Sequence, residues 1–189
     1  MSKIAHLLFQ AKILIEIPMS GFHFLGAGKE SVADHTFCTT FIAYVMTHME
    51  ADIDAYRLVC MCLLHDLTEA RIGDLNTVHK TYVTPDEDKA LEDTVKGLPF
   101  GTSMADLVNE FNENRTREAR LARDADQLAL VLDLKALSDT GYRPPEKWLP
   151  PVIKRLQTDT GRLLAEKIMG VEWDDWWLQN YIDTTEGKN

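Results

Sequence analysis

The segment that most narrows what this chain can fold into is Leu58-Val59-Cys60-Met61-Cys62-Leu63-Leu64, apolar on every side and followed at once by His65-Asp66. Asp52 and Asp54 stand just ahead of it, where acids favour a helix start. The run is far shorter than the roughly 18 apolar residues of a membrane span. A helix apolar all round must be covered by other elements, so it is expected at the centre of the core. Its end carries two ionisable side chains into that core, and an unpaired buried charge costs several kcal/mol. The fold therefore has to bring partners to His65 and Asp66.

The rest of the chain reads as further helices. Residues 3–15 place Ile4, Leu7, Leu8, Ala11 and Leu14 at helical spacing, and Pro18 with Gly21, Gly26 and Gly28 marks a loop. A helix over 31–48 puts Val32, Phe37, Phe41, Tyr44, Val45 and His48 on one stripe. A short helix at 66–71 stops before Gly73, and 74–84 reads as a polar loop with an extended piece at Tyr82-Val83. Pro85-Asp86-Glu87 starts a helix that ends near Gly97. Further helices are expected over 103–113, over 116–138 with Leu121, Ala125, Leu128, Ala129, Leu132 and Ala136 as the apolar face, and over 150–169. The fold class is all-α. The 189 residues are read as one domain, with a core at 1–145 and a C-terminal helical extension at 146–189 packed on it.

With 20 Lys and Arg against 30 Asp and Glu, the net charge is −10. That balance repels phosphate polymers and anionic membranes, which argues against long nucleic acid and against a membrane as partners. Residues 1–18 mix Lys3, Lys12 and Glu16 among apolar ones and lack the unbroken core of a signal peptide. Cys38, Cys60 and Cys62 are odd in number and lack the gap of zinc or redox pairs. Buried free thiols in a cytoplasmic protein are expected. Trp173, Trp176, Trp177 and Tyr181 are read as packing a last helix on the body, or as a dimer contact.

Polar residues interrupt apolar helix faces at His35, at His65-Asp66 and at Asp126. Asp126 lies among Ala125, Leu128 and Ala129, which turns it inward. From neighbouring helices these groups can converge on one ion. Neutral imidazole and ionised carboxylate together suit a divalent metal such as Mn²⁺, Co²⁺, Zn²⁺ or Fe²⁺. Spacing alone leaves that reading level with a structural polar network.

Three segments carry a resemblance: Ser31-Val32-Ala33-Asp34-His35; His65-Asp66-Leu67-Thr68-Glu69-Ala70-Arg71-Ile72-Gly73-Asp74; and Arg123-Asp124-Ala125-Asp126-Gln127-Leu128. In this order the chain resembles the HD-domain metal-dependent phosphohydrolases, and among them the 5′-deoxynucleotidase branch. The resemblance implies a helical bundle that holds one divalent ion (Mn, Co, Zn, Fe or Mg) on His35, His65, Asp66 and Asp126. Asp124 competes with Asp126 for the last place. Glu69 is implied as the group that orients or deprotonates water, and Asp74 as one that contacts the sugar or relays a proton. The implied reaction is hydrolysis of the 5′-phosphomonoester of a (deoxy)nucleoside monophosphate, a small nucleotide, by a homodimer. The alternatives are an HD-domain hydrolase of another nucleotide phosphodiester or pyrophosphate, and a non-catalytic helical binding module stapled by its metal.

One position departs from the family pattern. The loop before the first ligand there carries an arginine for the substrate phosphate, in a Pro-Arg-(Thr/Ser)-Gly-aromatic segment. This chain reads Pro18-Met19-Ser20-Gly21-Phe22. Methionine cannot pair with phosphate, so Lys29, Arg71 and Lys80 are the candidate substitutes. His23 in the same loop is read as incidental or as lining the pocket, while His6, His48 and His79 have no partner spacing and are assigned nothing.

Overall fold

The computed structural model describes residues 1–186; within the last helix, the side chains at 179–180 and 183–186 lie outside the description. The described residues form helices and no strand, in the order α1 (Ser2–Ile13), α2 (Phe22–Leu25), α3 (Val32–Thr47), α4 (Ala55–Leu64), α5 (Glu69–Ile72) and α6 (Thr77–Tyr82). The second half adds α7 (Glu87–Val95), α8 (Gly101–Glu113), α9 (Arg117–Asp139), α10 (Pro145–Ile153), α11 (Asp159–Met169) and α12 (Asp175–Glu186). No helix among the described residues is long and apolar enough to cross a membrane. Cys62 is buried, Cys38 and Cys60 are half-buried, and all are free thiols.

Polar caps fix where the long helices begin. Asp54 accepts from the Arg57 amide at the start of α4, and Thr116 accepts from the Ala119 amide at the start of α9. The α9 helix runs through the middle of the molecule, with α3, α4, α8, α10 and α11 all packed on it. It buries Leu121, Ala122, Asp124, Ala125, Leu128, Ala129, Val131 and Leu134, residues that cover more than one side of a helix. The centre of the fold is therefore α9 and not the 55–64 helix. α4 buries Leu58, Met61 and Cys62 but leaves Tyr56 and Leu63 more than half exposed.

The aromatic stripe of α3 also faces outward. Phe37, Phe41 and Tyr44 are more than half exposed, and their rings follow one another at 6.2 and 6.1 Å between centroids. The inward side carries Val32, His35, Thr39, Ala43 and Met46. The core that α3 shares with α9 contains Ala43, Ala122, Ala125 and Ala129. Small residues let the two helices approach closely, and that approach leaves no room for rings.

Two further elements differ from the sequence reading. Residues 77–82 form α6 and not a loop with an extended piece. Asn76 accepts from the Val78 and His79 amides there, a helix start that apolar periodicity does not reveal. The stretch expected as one helix over 150–169 is two. α10 begins at Pro145 in its first turn and runs through Pro150-Pro151, and α11 starts afresh behind the Thr158 cap. In the tail, Trp173, Trp176 and Trp177 remain 46%, 76% and 42% exposed. The Trp173 N–H donates to Asp139 Oδ2 at 2.9 Å, which ties the start of the tail to α9.

Candidate metal centre

His35 lies one turn into α3, and a capping box decides where that turn falls. Ser31 Oγ accepts from the Asp34 amide while the Asp34 carboxylate accepts from the Ser31 amide. His65 ends α4, held by its amide on the Met61 carbonyl at 2.9 Å. Asp126 sits midway along α9. The ligating atoms of His35, His65 and Asp126 all fall within 4.8 Å of one another. Asp66 Oδ2 joins them, 2.9 Å from His65 Nε2 and 3.9 Å from His35 Nε2, and Asp126 Oδ1 lies 3.0 Å from His35 Nε2.

His65 shows what this cluster suits. Its Nδ1 lies 2.8 Å from the Cys62 carbonyl, which can only accept, so Nδ1 carries the proton. In the neutral ring Nε2 then presents a lone pair. Nε2 is buried and has no hydrogen-bond partner. Burial opposes the charged ring, but the charge of Asp66, whose Oδ2 lies 2.9 Å from Nε2, raises the His65 pKa. Two electron-rich atoms at that separation repel unless a proton or a metal cation lies between them. Two imidazoles and the Asp126 carboxylate, with Asp66 against both rings, are a donor set for a borderline divalent ion.

The ion-free protein shows the same electrostatic demand. Burial opposes the charged form of His35, but the hydrogen bond and charge of Asp126, with Asp66 and Glu30 behind it, raise its pKa to about 9. Burial also opposes the Asp126 carboxylate, yet the His35 hydrogen bond and the charges of His35 and His65 hold it at about 2. Glu69 goes the other way. Burial, then the charges of Asp66 and Asp74, push it up to about 9.

Two chambers meet at the cluster, sharing Met19, His35, Asp74 and Asp126 in their walls. The larger, about 510 Å³, is mostly apolar, with Phe22, Leu25, Leu130, Trp148 and Val152 in its wall and Lys147 and Arg155 beside them. The smaller, about 310 Å³, is polar and holds Asp66, Glu69, Lys80, Asn112 and Arg123.

A model of the HD domain matches residues 19–169, most of the chain. The chain belongs to the HD domain family. Curated relatives are the 5′-deoxynucleotidase HDDC2 of Xenopus laevis, 26% identical over 69% of this chain and 67% of that one, and that of Dictyostelium discoideum, 29% identical over 54% and 60%. A conserved hypothetical protein from Pyrococcus furiosus, 26% identical, superposes with a TM-score of 0.73 over 88% of this chain and 99% of that chain.

Within this HD domain the residues singled out from the sequence have different fates. His35, His65, Asp66 and Asp126 come together, and Glu69 and Lys80 line the polar chamber next to them. Asp74 lines both chambers, but its Oδ2 also accepts from the Ser20 amide at 2.5 Å and the Ser20 hydroxyl at 2.9 Å. Asn76 grips Ser20 as well, its amide nitrogen Nδ2 donating to Ser20 Oγ at 3.0 Å. Asp124 turns away from the cluster altogether, and its oxygens accept from the amides of Gln157 and Thr158, both at 2.8 Å. Arg71 is turned away too: its guanidinium donates to Thr94 Oγ1 at 3.0 Å, Gln10 Oε1 at 2.9 Å and the Asp93 carbonyl at 3.3 Å. Lys29 is exposed and absent from the walls of both chambers. The cations that do line them besides Lys80 are Arg123, Lys147 and Arg155, which sequence reasoning passed over. Arg123 had a signal, since it opens the segment that carries Asp126; Lys147 and Arg155 lie within the matched HD domain but outside every motif.

Proposed function

We propose that this HD domain is a metal-dependent phosphohydrolase acting on the 5′-phosphomonoester of deoxynucleoside monophosphates. The observation that carries the reading is the convergence of His35, His65 and Asp126, with Asp66 Oδ2 2.9 Å from the buried His65 Nε2, where an apolar and a polar chamber meet. His35, His65, Asp66 and Asp126 would hold one divalent ion. When bound, such an ion supplies an acidified water and neutralises charge on a phosphate oxygen.

The chain's own groups do the rest. Water adds to phosphorus, the bond from phosphorus to the ester oxygen breaks, and the products are the nucleoside alcohol and phosphate. Glu69 lies three residues beyond Asp66, in the polar chamber, placed to orient the attacking water; burial and the neighbouring acids keep its carboxyl protonated, so it can also give a proton to the departing ester oxygen. His35 and Lys80 offset only part of the rise in its pKa. Asp74 keeps one oxygen on Ser20 and offers the other to the sugar or to a proton relay. The apolar chamber is the place for the base, with Phe22 and Trp148 as its aromatic walls. The relatives named 5′-deoxynucleotidase support this choice of substrate.

The test is phosphate release by the purified protein with Mn²⁺ or Co²⁺ across a panel of nucleoside monophosphates, diesters and pyrophosphates. Release from deoxynucleoside monophosphates, abolished by Asp66→Ala, is expected. Turnover confined to diesters or pyrophosphates would replace the substrate; no turnover with metal bound would leave only a metal-stapled module. A homodimer is proposed too, on the support of the apolar surface left open on α3 and α4. Light scattering in solution checks it, and a monomer mass overturns it.

A further inference from the structure

The two chambers carry an excess of acid. Glu30, Asp66, Glu69, Asp74, Glu87, Asp88 and Asp126 line them with the cations Lys80, Arg123, Lys147 and Arg155. A phosphate dianion entering this field needs a cation that is free to turn toward it. Arg123 is not free. Its guanidinium lies 4.0 Å over the Phe111 ring, and its Nε donates to the Phe111 carbonyl at 3.2 Å. Lysines at 80 and 147 offer point charges without a fork.

Arg155 differs from all of these. It follows α10 by two residues, is exposed and lines the apolar chamber. Its one side-chain hydrogen bond among the described residues is a long one, Nη1 to Gln127 Oε1 at 3.4 Å. Gln127 in turn donates from Nε2 to Asp126 Oδ2 at 3.2 Å. A single side chain thus links the guanidinium to Asp126, in the wall of the same chamber, and leaves its Nε and Nη2 without a hydrogen bond among the described residues.

We propose that Arg155 is the phosphate-binding residue of this site, closing its guanidinium fork on two phosphate oxygens from the α10 side of the apolar chamber. The proposal rests on the phosphomonoesterase reading above and narrows its substrate to esters whose phosphate is a free, doubly charged terminus. A diester has fewer charged oxygens to give the fork. It also answers the loss of a cation at Met19, which stands in the wall shared by both chambers. A competing role for Arg155 is to neutralise the C-terminal end of α10, which favours a nearby cation with no ligand at all.

Calorimetric titration of the Mn²⁺-loaded protein with inorganic phosphate and with a deoxynucleoside monophosphate separates these roles. Arg155→Ala is expected to weaken both by about tenfold or more. Arg155→Lys should recover part of the loss, and Lys154→Ala, which removes the same charge at the same helix end, should change neither. In steady state KM should rise by the same factor as the binding loss, with kcat nearly unchanged. Phosphate binding by Arg155→Ala within twofold of the parent overturns the proposal. So does an equal loss in Lys154→Ala, or a parent protein that binds no phosphate. If the parent binds phosphate through Arg155 but hydrolyses no monoester, the inference stands and the catalytic reading falls.

Discussion

Asp124 and Asp126 are neighbours but one on α9, and the fold gives them opposite work. Asp124 is wholly buried and points toward α11, where it accepts from two backbone amides and from the Thr158 hydroxyl at 2.6 Å. Asp126 points toward α3 and α4 and meets two histidines. Two residues along a helix turn a side chain by about 200°. A carboxylate can therefore be buried on either side of a central helix, and what surrounds it decides its use. Amide donors make Asp124 a clasp between helices. Imidazoles around Asp126 pair with it when protonated and, when neutral, leave a place that a metal cation would fill.

The sharpest way to break this contrast is to remove each acid in turn. Asp126→Ala is expected to lower kcat/KM by about a thousandfold or more, with loss of bound metal and a folded protein. Full activity with normal metal content would end the assignment. Asp124→Ala is expected to keep the metal while losing about 3 kcal/mol of stability, because it strands buried amides at the start of α11. Denaturant unfolding with metal analysis on the same sample reads both. A smaller effect is expected from Gly161→Ala. A Cβ there would lie 2.3 Å from Asp124 Oδ2, so α11 must shift, at a cost of about 2 kcal/mol and with activity retained.

The smallest effect is a pH dependence of the metal-free protein. His35 is raised to about 9 from an ordinary 6.5, so its contribution to stability is fully present below about pH 6.5. It is lost as pH climbs through about 9. The melting temperature of chelated protein should fall by a few degrees over that interval, while protein loaded with Mn²⁺ stays level. A rise over the interval in the chelated protein would contradict the His35–Asp126 pairing.

Helix positions were largely legible because long apolar periodicities and capping residues are local signals. Ser31 with Asp34 and Thr116 with its followers mark α3 and α9 to within a residue or two of the expected spans. The packing side of α3 was not legible. Hydrophobicity pointed to Phe37, Phe41 and Tyr44, but helix separation at α9 selected Thr39 and Ala43. The geometry of His35, His65, Asp66 and Asp126 followed from motifs on separate helices that the fold draws together. Arg155 and Trp148 were silent because α10 meets the chamber through tertiary packing alone, with no spacing that ties it to the histidines.

The grip on Ser20 has a consequence for anyone who would alter what this protein accepts. Asp74 and Asn76 hold the hydroxyl and backbone of one residue in the loop that also provides Met19, Phe22 and Leu25. The wall of the large chamber and the acid beside the cluster are thus one mechanical part. A graft that widens the wall through residues 19–25 has to carry 74–76 with it, or the new loop arrives without its anchor and Asp74 swings free of its place.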